Sequence, residues 1–384
     1  MSLRLFLIAG EPSGDKLGAA LMVGLKALSD DVQFHGIGGP LMQAEGLVPL
    51  FPMEELSVMG LAEILPRLRN LLARVAQTTD AVLTLRPDAL ITIDIPEFSL
   101  RVAAKVKARA PQLRTIHYVA PTVWAWRPKR AVKMARSIDH VLALFPFEPP
   151  LMQAAGMTCD FVGHPIVAEP LASQAEAARF REQHGIAADA PLVLVLPGSR
   201  RSEVTRLAPR FGAVMAQVAA RHPTARVVVP TVAATVGLIA ELTAAWPVPP
   251  IIVRPDAADE KRAAFGAADV ALAASGTVSL ELAAAGTPMV VAYDMNWVSF
   301  RLIQTLAVVD TVTLVNLVSE TRVVPEFLGP DCQPGPIADA VLALLDDPVA
   351  RTAQLNAARV TMDRLGQGGE APGLRAARSV LGVI

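Results

Sequence analysis

The chain has 384 residues, enough for two domains of ordinary size. Hydrophobic residues make up 52% and charged ones 18%, so a large core is available and disorder is excluded as the organising state. A formal net charge of -1 argues against nucleic acid as a partner, and 2 cysteines, Cys159 and Cys332, exclude a disulfide scaffold or a Cys-rich zinc site and fit a reducing cytosol.

The apolar run Leu5–Ala9 is too short for a signal peptide, and Glu11 and Asp15 stand where a small-residue cleavage site belongs, so it reads as a first strand. Within 1–165, strand-like runs at Leu3–Ala9, Val32–Ile37, Ala89–Ile95, Thr115–Val119 and Val141–Phe145 alternate with helical segments. Those are Lys16–Leu28, Leu68–Thr79, Leu100–Ala108 and Lys129–Arg136. Such alternation predicts a parallel sheet with helices on both faces. Residues 166–189, entered through the proline-bearing Gly163–Leu171, read as a linker. Residues 190–333 repeat the pattern, with strands at Leu192–Leu196, Arg226–Val229, Ile251–Val253, Val270–Ala274 and Met289–Ala292. Their helices fall at Ser202–Arg221, Ala233–Ala245, Lys261–Gly266 and Val278–Ala285. Residues 334–384 form a helical tail broken at Pro348 and Gly366–Gly369, its last helix free to return onto the first domain.

The expected fold is therefore α/β, two doubly wound domains in tandem with a cleft between them. Ligands bind beyond the carboxyl ends of such strands. No apolar run reaches the roughly 18–20 residues of a spanning helix, so any membrane contact is peripheral. The six histidines are scattered with no pair at metal-ligand spacing.

Chemistry concentrates at six stretches. In DVALAASGTVSLELAAAGTP (Asp269–Pro288), Ser275, Gly276 and Thr277 open a helix whose free N–H groups and dipole suit a phosphate. Glu281, one turn on, suits the vicinal hydroxyls of a ribose; an ordinary capped helix reads the same way. In LFLIAGEPSGD (Leu5–Asp15) the loop bearing Ser13 is expected at the ligand end of domain one, without a dinucleotide fingerprint; a plain strand-to-helix turn reads the same way. In TIDIPEF (Thr92–Phe98), Pro96 stops a strand, so Asp94 and Glu97 sit at its tip as a candidate general base or as a helix-capping pair. In LPGSRRSE (Leu196–Glu203), Gly198 and Ser199 offer N–H groups, and Arg200 or Arg201 can clamp a diphosphate; solvated surface arginines are the alternative. HYVAPTVWAW (His117–Trp126) places Trp124 and Trp126 where aromatic faces suit sugar rings, acyl chains or a core. Finally, Leu61, Ile64, Leu65, Leu68, Leu71, Leu72 and Val75 fall at helical spacing flanked by Arg67, Arg69 and Arg74. Pro66 is expected to split this stretch. On residues alone a core-facing helix is the better reading, a membrane-lying helix the other.

GEPSGD (Gly10–Asp15), MEELSVMG (Met53–Gly60), HYVAPTVWAWR (His117–Arg127), LPGSR (Leu196–Arg200) and ASGTVSLE (Ala274–Glu281) together resemble the lipid-A-disaccharide synthase family, from about Leu5 to about Cys332. The resemblance implies a GT-B fold, two Rossmann-like domains facing across a cleft with a C-terminal helical tail. It implies an inverting transfer from UDP-2,3-diacylglucosamine to 2,3-diacylglucosamine 1-phosphate (lipid X), giving the β-1',6-linked disaccharide 1-phosphate and UDP. Catalytic roles then fall on Asp94 as base and Arg200 at the leaving diphosphate. Substrate binding falls on Ser13, Glu97, Trp124, Ser199, Ser275, Gly276, Thr277, Glu281 and Asn316, the last in LVNL. Glu97 departs from members with aspartate there, and Pro12 from those with alanine. No metal and no cofactor is implied, UDP being part of the donor and a product. Acylated substrates make the membrane or acyl-contact reading of Leu61, Ile64, Leu65, Leu68, Leu71 and Leu72 the better one. The implied setting is cytoplasmic, peripheral on the inner membrane of a Gram-negative cell, without nucleic acid and with a homodimer among the assemblies allowed. Other readings are an undecaprenyl-linked N-acetylglucosaminyltransferase, a UDP-N-acetylglucosamine 2-epimerase, or a non-catalytic UDP-sugar-binding protein.

Overall fold

The structure, a computed structural model, describes residues 2–56, 61–125, 129–295, 305 and 309–384, with backbone alone for 61–68. Two compact units divide the chain: Met1–Ala168 with Leu365–Ile384, and Glu169–Arg364.

The first unit holds β1 (Leu3–Ile8), α1 (Pro12–Leu28), β2 (Val32–Ile37), α2 (Pro40–Ala44), β3 (Val48–Pro49), α3 (Leu61–Leu85), β4 (Ala89–Ile93), α4 (Pro96–Arg109), β5 (Arg114–Tyr118), α5 (Lys129–Met134), β6 (His140–Ala143), α6 (Pro149–Ala154) and β7 (Thr158–Phe161). Its seven strands are parallel in the order β3-β2-β1-β4-β5-β6-β7. The central strands are buried on both faces, with Leu5, Leu7, Ile8, Leu90, Ile91 and Ile116 wholly inaccessible, which is why they read as continuous apolar runs. Helices α1 and α4 begin earlier than expected, each with proline in its first turn, where the missing N–H costs no hydrogen bond. Helix α3 runs through Pro66 to Leu85 as a single element, so the expected break does not occur.

The second unit holds α7 (Gln174–Gln183), β8 (Leu192–Leu196), α8 (Arg201–Arg221), β9 (Arg226–Pro230), α9 (Val236–Thr243), β10 (Ile251–Val253), α10 (Ala258–Ala267), β11 (Val270–Ala273), α11 (Val278–Ala285), β12 (Met289–Tyr293), α12 (Leu314–Ser319), β13 (Glu326–Leu328), α13 (Pro334–Asp346) and α14 (Pro348–Arg364). Its six strands are also parallel, in the order β10-β9-β8-β11-β12-β13.

The C-terminal residues divide between the units. Ile337, Val341 and Leu344 of α13 join the core of the second unit. Gln354 of α14 accepts from Met289 N (2.8 Å) and donates to Met289 O (3.0 Å), fixing α14 to β12. After the Gly366–Gly369 break, α15 (Pro372–Leu381) packs on α1 in the first unit. The two helices meet at glycine: a Cβ on Gly24 would lie 2.6 Å from Gly373 O, and one on Gly373 2.5 Å from Ala20 O. Arg375 donates to Phe161 O (2.8 Å) and lies over the Phe161 ring, while Ser379 donates to Asp160 (2.6 Å). Gly373→Val is therefore expected to unseat α15 at a cost of about 3 kcal/mol, since the close neighbour is backbone that cannot yield. Limited proteolysis should then cut beyond Leu365 faster than in the parent chain; equal rates would refute this seating.

Candidate active site

In the first sheet the strand order reverses between β1 and β4, the point where doubly wound sheets bind ligands. Ile8 pairs with Thr92, so the loop after β1 and the tip of β4 lie side by side. A Cβ on Gly10 would come within 2.5 Å of Ile95 Cδ1, so these loops touch. Ser13 is exposed in the first turn of α1. Asp15, in the same motif, is buried and accepts from Leu41 N (3.0 Å) and Met42 N (2.9 Å), capping α2.

The tip of β4 is strained. Asp94 (φ 53) and Ile95 (φ 41) are left-handed in succession, and on the adjoining tip of β5 the β-branched Val119 has φ 81. Such conformations persist only where the surroundings impose them, and they concentrate at functional sites. The surroundings are explicit here: Asp94 N donates to Tyr118 O (3.0 Å), Val119 N to Leu142 O (3.1 Å) and Ser99 Oγ to Asp94 O (2.8 Å). The Asp94 side chain is half-buried and, among the described residues, its carboxylate has no hydrogen-bond partner. Glu97 is 83% exposed and faces Arg101 at 3.9 Å.

Trp124 belongs to a cluster the sequence did not disclose. Its Nε1 donates to Glu148 Oε1 (3.1 Å), and Glu148 Oε2 accepts from Leu144 N (3.0 Å) and Phe145 N (2.9 Å). Trp124 meets Phe145 and Phe147 edge-on, while those two rings stack 5.4 Å apart and His164 lies against Phe145. Burial pushes the Glu148 carboxyl up to about 7 against these three donors, and the same burial holds His164 down at about 4. The folded chain thus binds the Glu148 proton more tightly than the unfolded chain does. Its contribution to stability is complete below pH 4.5 and is lost as pH rises through 7, about 3 kcal/mol in all. His164 acts oppositely, removing stability as pH falls from 6.5 to 4. In urea unfolding, the stability of Glu148→Gln relative to the parent chain should therefore rise between pH 5 and pH 8, the histidine effect cancelling in the difference. A pH-independent difference would refute it.

In the second sheet the order reverses between β8 and β11, and Ala273 pairs with Leu196. Beyond β8, Gly198 has φ 102, with Glu203 packed where a Cβ would stand. Glu203 Oε2 accepts from Ser199 N (3.1 Å) and Arg200 N (3.2 Å). Its Oε1 accepts from Arg200 Nη1 (3.0 Å) and Tyr293 Oη (3.2 Å). The Ser199 N–H expected for a phosphate is thus engaged by this carboxylate, as is one face of the otherwise exposed Arg200 guanidinium. Beyond β11, Gly276 has φ 152 and open space beside its Cα. Ser275 is half-buried and Thr277 exposed. Among the described residues the N–H groups of Gly276, Thr277 and Val278, at the start of α11, have no acceptor. Glu281 pairs with Lys261 Nζ (2.7 Å). Asn316 is buried and fully engaged, donating to Val324 O (2.9 Å) and accepting from Val324 N (3.0 Å), so it holds the 321–326 loop and presents no polar group outward.

Two switch points thus gather Ser13 with Asp94, and Ser199 and Arg200 with Ser275, Gly276 and Thr277, each set within its own unit. The side chains of Leu61, Ile64, Leu65 and Leu68, and all of Trp126, lie outside the described residues; Leu71 is half-buried and Leu72 is 45% exposed. Among the described residues no helix is long and apolar enough to cross a membrane, and no group of three His, Cys, Asp or Glu is placed to hold a metal.

Two parallel-sheet α/β units with loops of this kind at both switch points define the GT-B fold. The MurG structure from Acinetobacter baumannii shares the fold at 16% identity, TM-score 0.56, covering 100% of this chain and 99% of that one. A UDP-GlcNAc 2-epimerase from Neisseria meningitidis does so at 11% identity, TM-score 0.63, with the same coverage. A family model described as lipid-A-disaccharide synthetase matches residues 5–368. The lipid-A-disaccharide synthases of Ruegeria pomeroyi and Rhodospirillum centenum are 59% and 51% identical, covering 99% and 100% of this chain and 95% of each relative. The chain belongs to the lipid-A-disaccharide synthetase family, and its role is the synthesis of the lipid A disaccharide.

Proposed function

We propose that the chain transfers the diacylglucosaminyl group of UDP-2,3-diacylglucosamine to the 6-hydroxyl of 2,3-diacylglucosamine 1-phosphate with inversion. The acceptor oxygen forms its bond to the anomeric carbon as its proton passes to the Asp94 carboxylate. The bond from that carbon to the diphosphate breaks, and its electron pair leaves with UDP. Arg200 and the N–H groups of Gly276, Thr277 and Val278 meet the charge that develops on the diphosphate. Ser275, Thr277 and Ser199 add hydroxyls there, and Glu281 takes the ribose on exchanging its bond with Lys261. Asn316 acts by holding its loop. Ser13, Glu97 and Trp124 stand on the acceptor side, and the Leu61–Leu72 face of α3 meets acyl chains at the inner-membrane surface.

The observation that carries this reading is the half-buried Asp94 carboxylate, without a hydrogen-bond partner among the described residues, on strained backbone at a switch point. The test is UDP release from the acylated donor in detergent and excess chelator, with and without the acylated acceptor. Acceptor-dependent release is expected. Release without acceptor, or none with both present, would overturn the reading.

A further inference from the structure

Beside the tip of β4 the first unit carries a groove of about 800 Å³ between α4, α5 and the loop at Pro121. It begins at Pro96 and Glu97, the residues that follow Asp94 and Ile95. Its floor is apolar, formed by Leu100, Ala104, Pro121 and Met134. Its rim is basic: Arg101, Lys107, Arg130, Lys133 and Arg136 stand against the single carboxylate of Glu97. These cations are not equivalent. Lys107 is held by both oxygens of Asp139 (2.9 and 2.7 Å), and Arg101 faces Glu97 at 3.9 Å. Arg130, Lys133 and Arg136 have no carboxylate within ion-pair distance among the described residues.

Three uncompensated cations in one groove of a chain with net charge -1 are not explained by packing. Two of them, Lys133 and Arg136, are exposed and hold up no neighbouring element. An apolar floor beneath a cationic rim is complementary to an amphiphile that carries a phosphate. Free phosphate has no use for the floor, and a neutral lipid has none for the rim.

We propose that this groove binds the phosphate-bearing, acylated end of the acceptor, with its phosphate on Arg130, Lys133 and Arg136 and acyl carbons along Leu100, Ala104 and Met134. The proposal rests on the acceptor reading above. It gives that reading a physical anchor, because the groove begins at Pro96 and Glu97, directly after the tip of β4 that carries Asp94. Affinity for the acceptor then includes a charge term that salt screens and that dephosphorylation removes.

The test compares the parent chain with Lys133→Glu/Arg136→Glu, and with Lys133→Gln/Arg136→Gln as a milder pair should the first misfold by circular dichroism. Binding of 2,3-diacylglucosamine 1-phosphate and of the same compound without its phosphate is measured in neutral detergent micelles, with binding of UDP as a control. Affinity for the phosphorylated compound should fall about 10- to 100-fold, as expected for charged hydrogen bonds lost. The dephosphorylated compound and UDP should bind as before. Equal weakening of both acylated compounds, or of neither, would overturn the proposal. Binding to phosphatidylglycerol vesicles separates the other source of phosphate. If the variants leave those vesicles while keeping full micellar affinity for the acceptor, the rim reads lipid headgroups and the proposal falls. Phosphate-dependent binding in a chain that shows no acceptor-dependent UDP release would instead sink the transfer reading and leave the groove standing.

Discussion

Replacing Asp94 with asparagine is expected to lower turnover by about 100- to 10,000-fold, the range for loss of a positioned general base, with UDP affinity unchanged. Asparagine is the informative substitution because of the backbone. Asp94 sits at φ 53, a conformation asparagine adopts readily and alanine does not. The bonds that impose this conformation, Asp94 N to Tyr118 O and Ser99 Oγ to Asp94 O, are made by main-chain atoms of residue 94 and survive the change. The variant should therefore unfold at the parent temperature and differ only in proton transfer. Rates at saturating donor and acceptor, with calorimetric UDP binding on the same samples, check this. Near-normal turnover would remove Asp94 from the mechanism and shift attention to Glu97. Glu97→Gln is the matched control: at 83% exposure, its carboxylate lies in water beside Arg101, and its loss should change turnover little.

Much of this geometry was legible in the chain because it is local. The strands Val32–Ile37, Leu192–Leu196 and Ile251–Val253 and helix Val278–Ala285 have the bounds their apolar runs and end signals indicate. The rule that ligands gather beyond strand tips then placed Ser13, Asp94, Arg200 and Ser275 without any structure. What escaped depends on distant contacts. Glu148 follows Phe147 in what reads as a loop, and its carboxylate is met by Trp124, twenty-odd residues earlier, a contact no local pattern announces. Strand Thr158–Phe161 is short, polar and at a sheet edge, so no apolar run announces it. Pro66 marks a helix break by local rules, yet α3 continues through it. Glu203 did leave a signal: a glutamate at the third helical position is half of a capping box, and it engages the Ser199 N–H, one of the two assigned to phosphate, together with that of Arg200. Asn316 shows the converse. A motif marked it for the donor, and the fold gives both ends of its amide to Val324.

Arg200→Ala should reduce turnover by about 100- to 1,000-fold, the loss that follows removal of one preorganised group from developing charge. The structure sharpens what this substitution does. The Arg200 side chain is 69% exposed and, among the described residues, its guanidinium is hydrogen-bonded to Glu203 Oε1 alone, so its removal costs little stability. Glu203 keeps its bonds to Ser199 N, residue 200 N and Tyr293 Oη, and the loop keeps its shape. The same geometry implies an exchange. Arg200 must leave Glu203, or share it, to reach a diphosphate, so Glu203→Gln should free the guanidinium and tighten UDP binding even as it loosens the loop. In the double variant that gain should vanish, since no guanidinium remains to be released. Measuring UDP affinity across the four proteins tests the coupling. Additive effects would mean that Arg200 and Glu203 act independently and that Arg200 does not carry the leaving group's charge from this position.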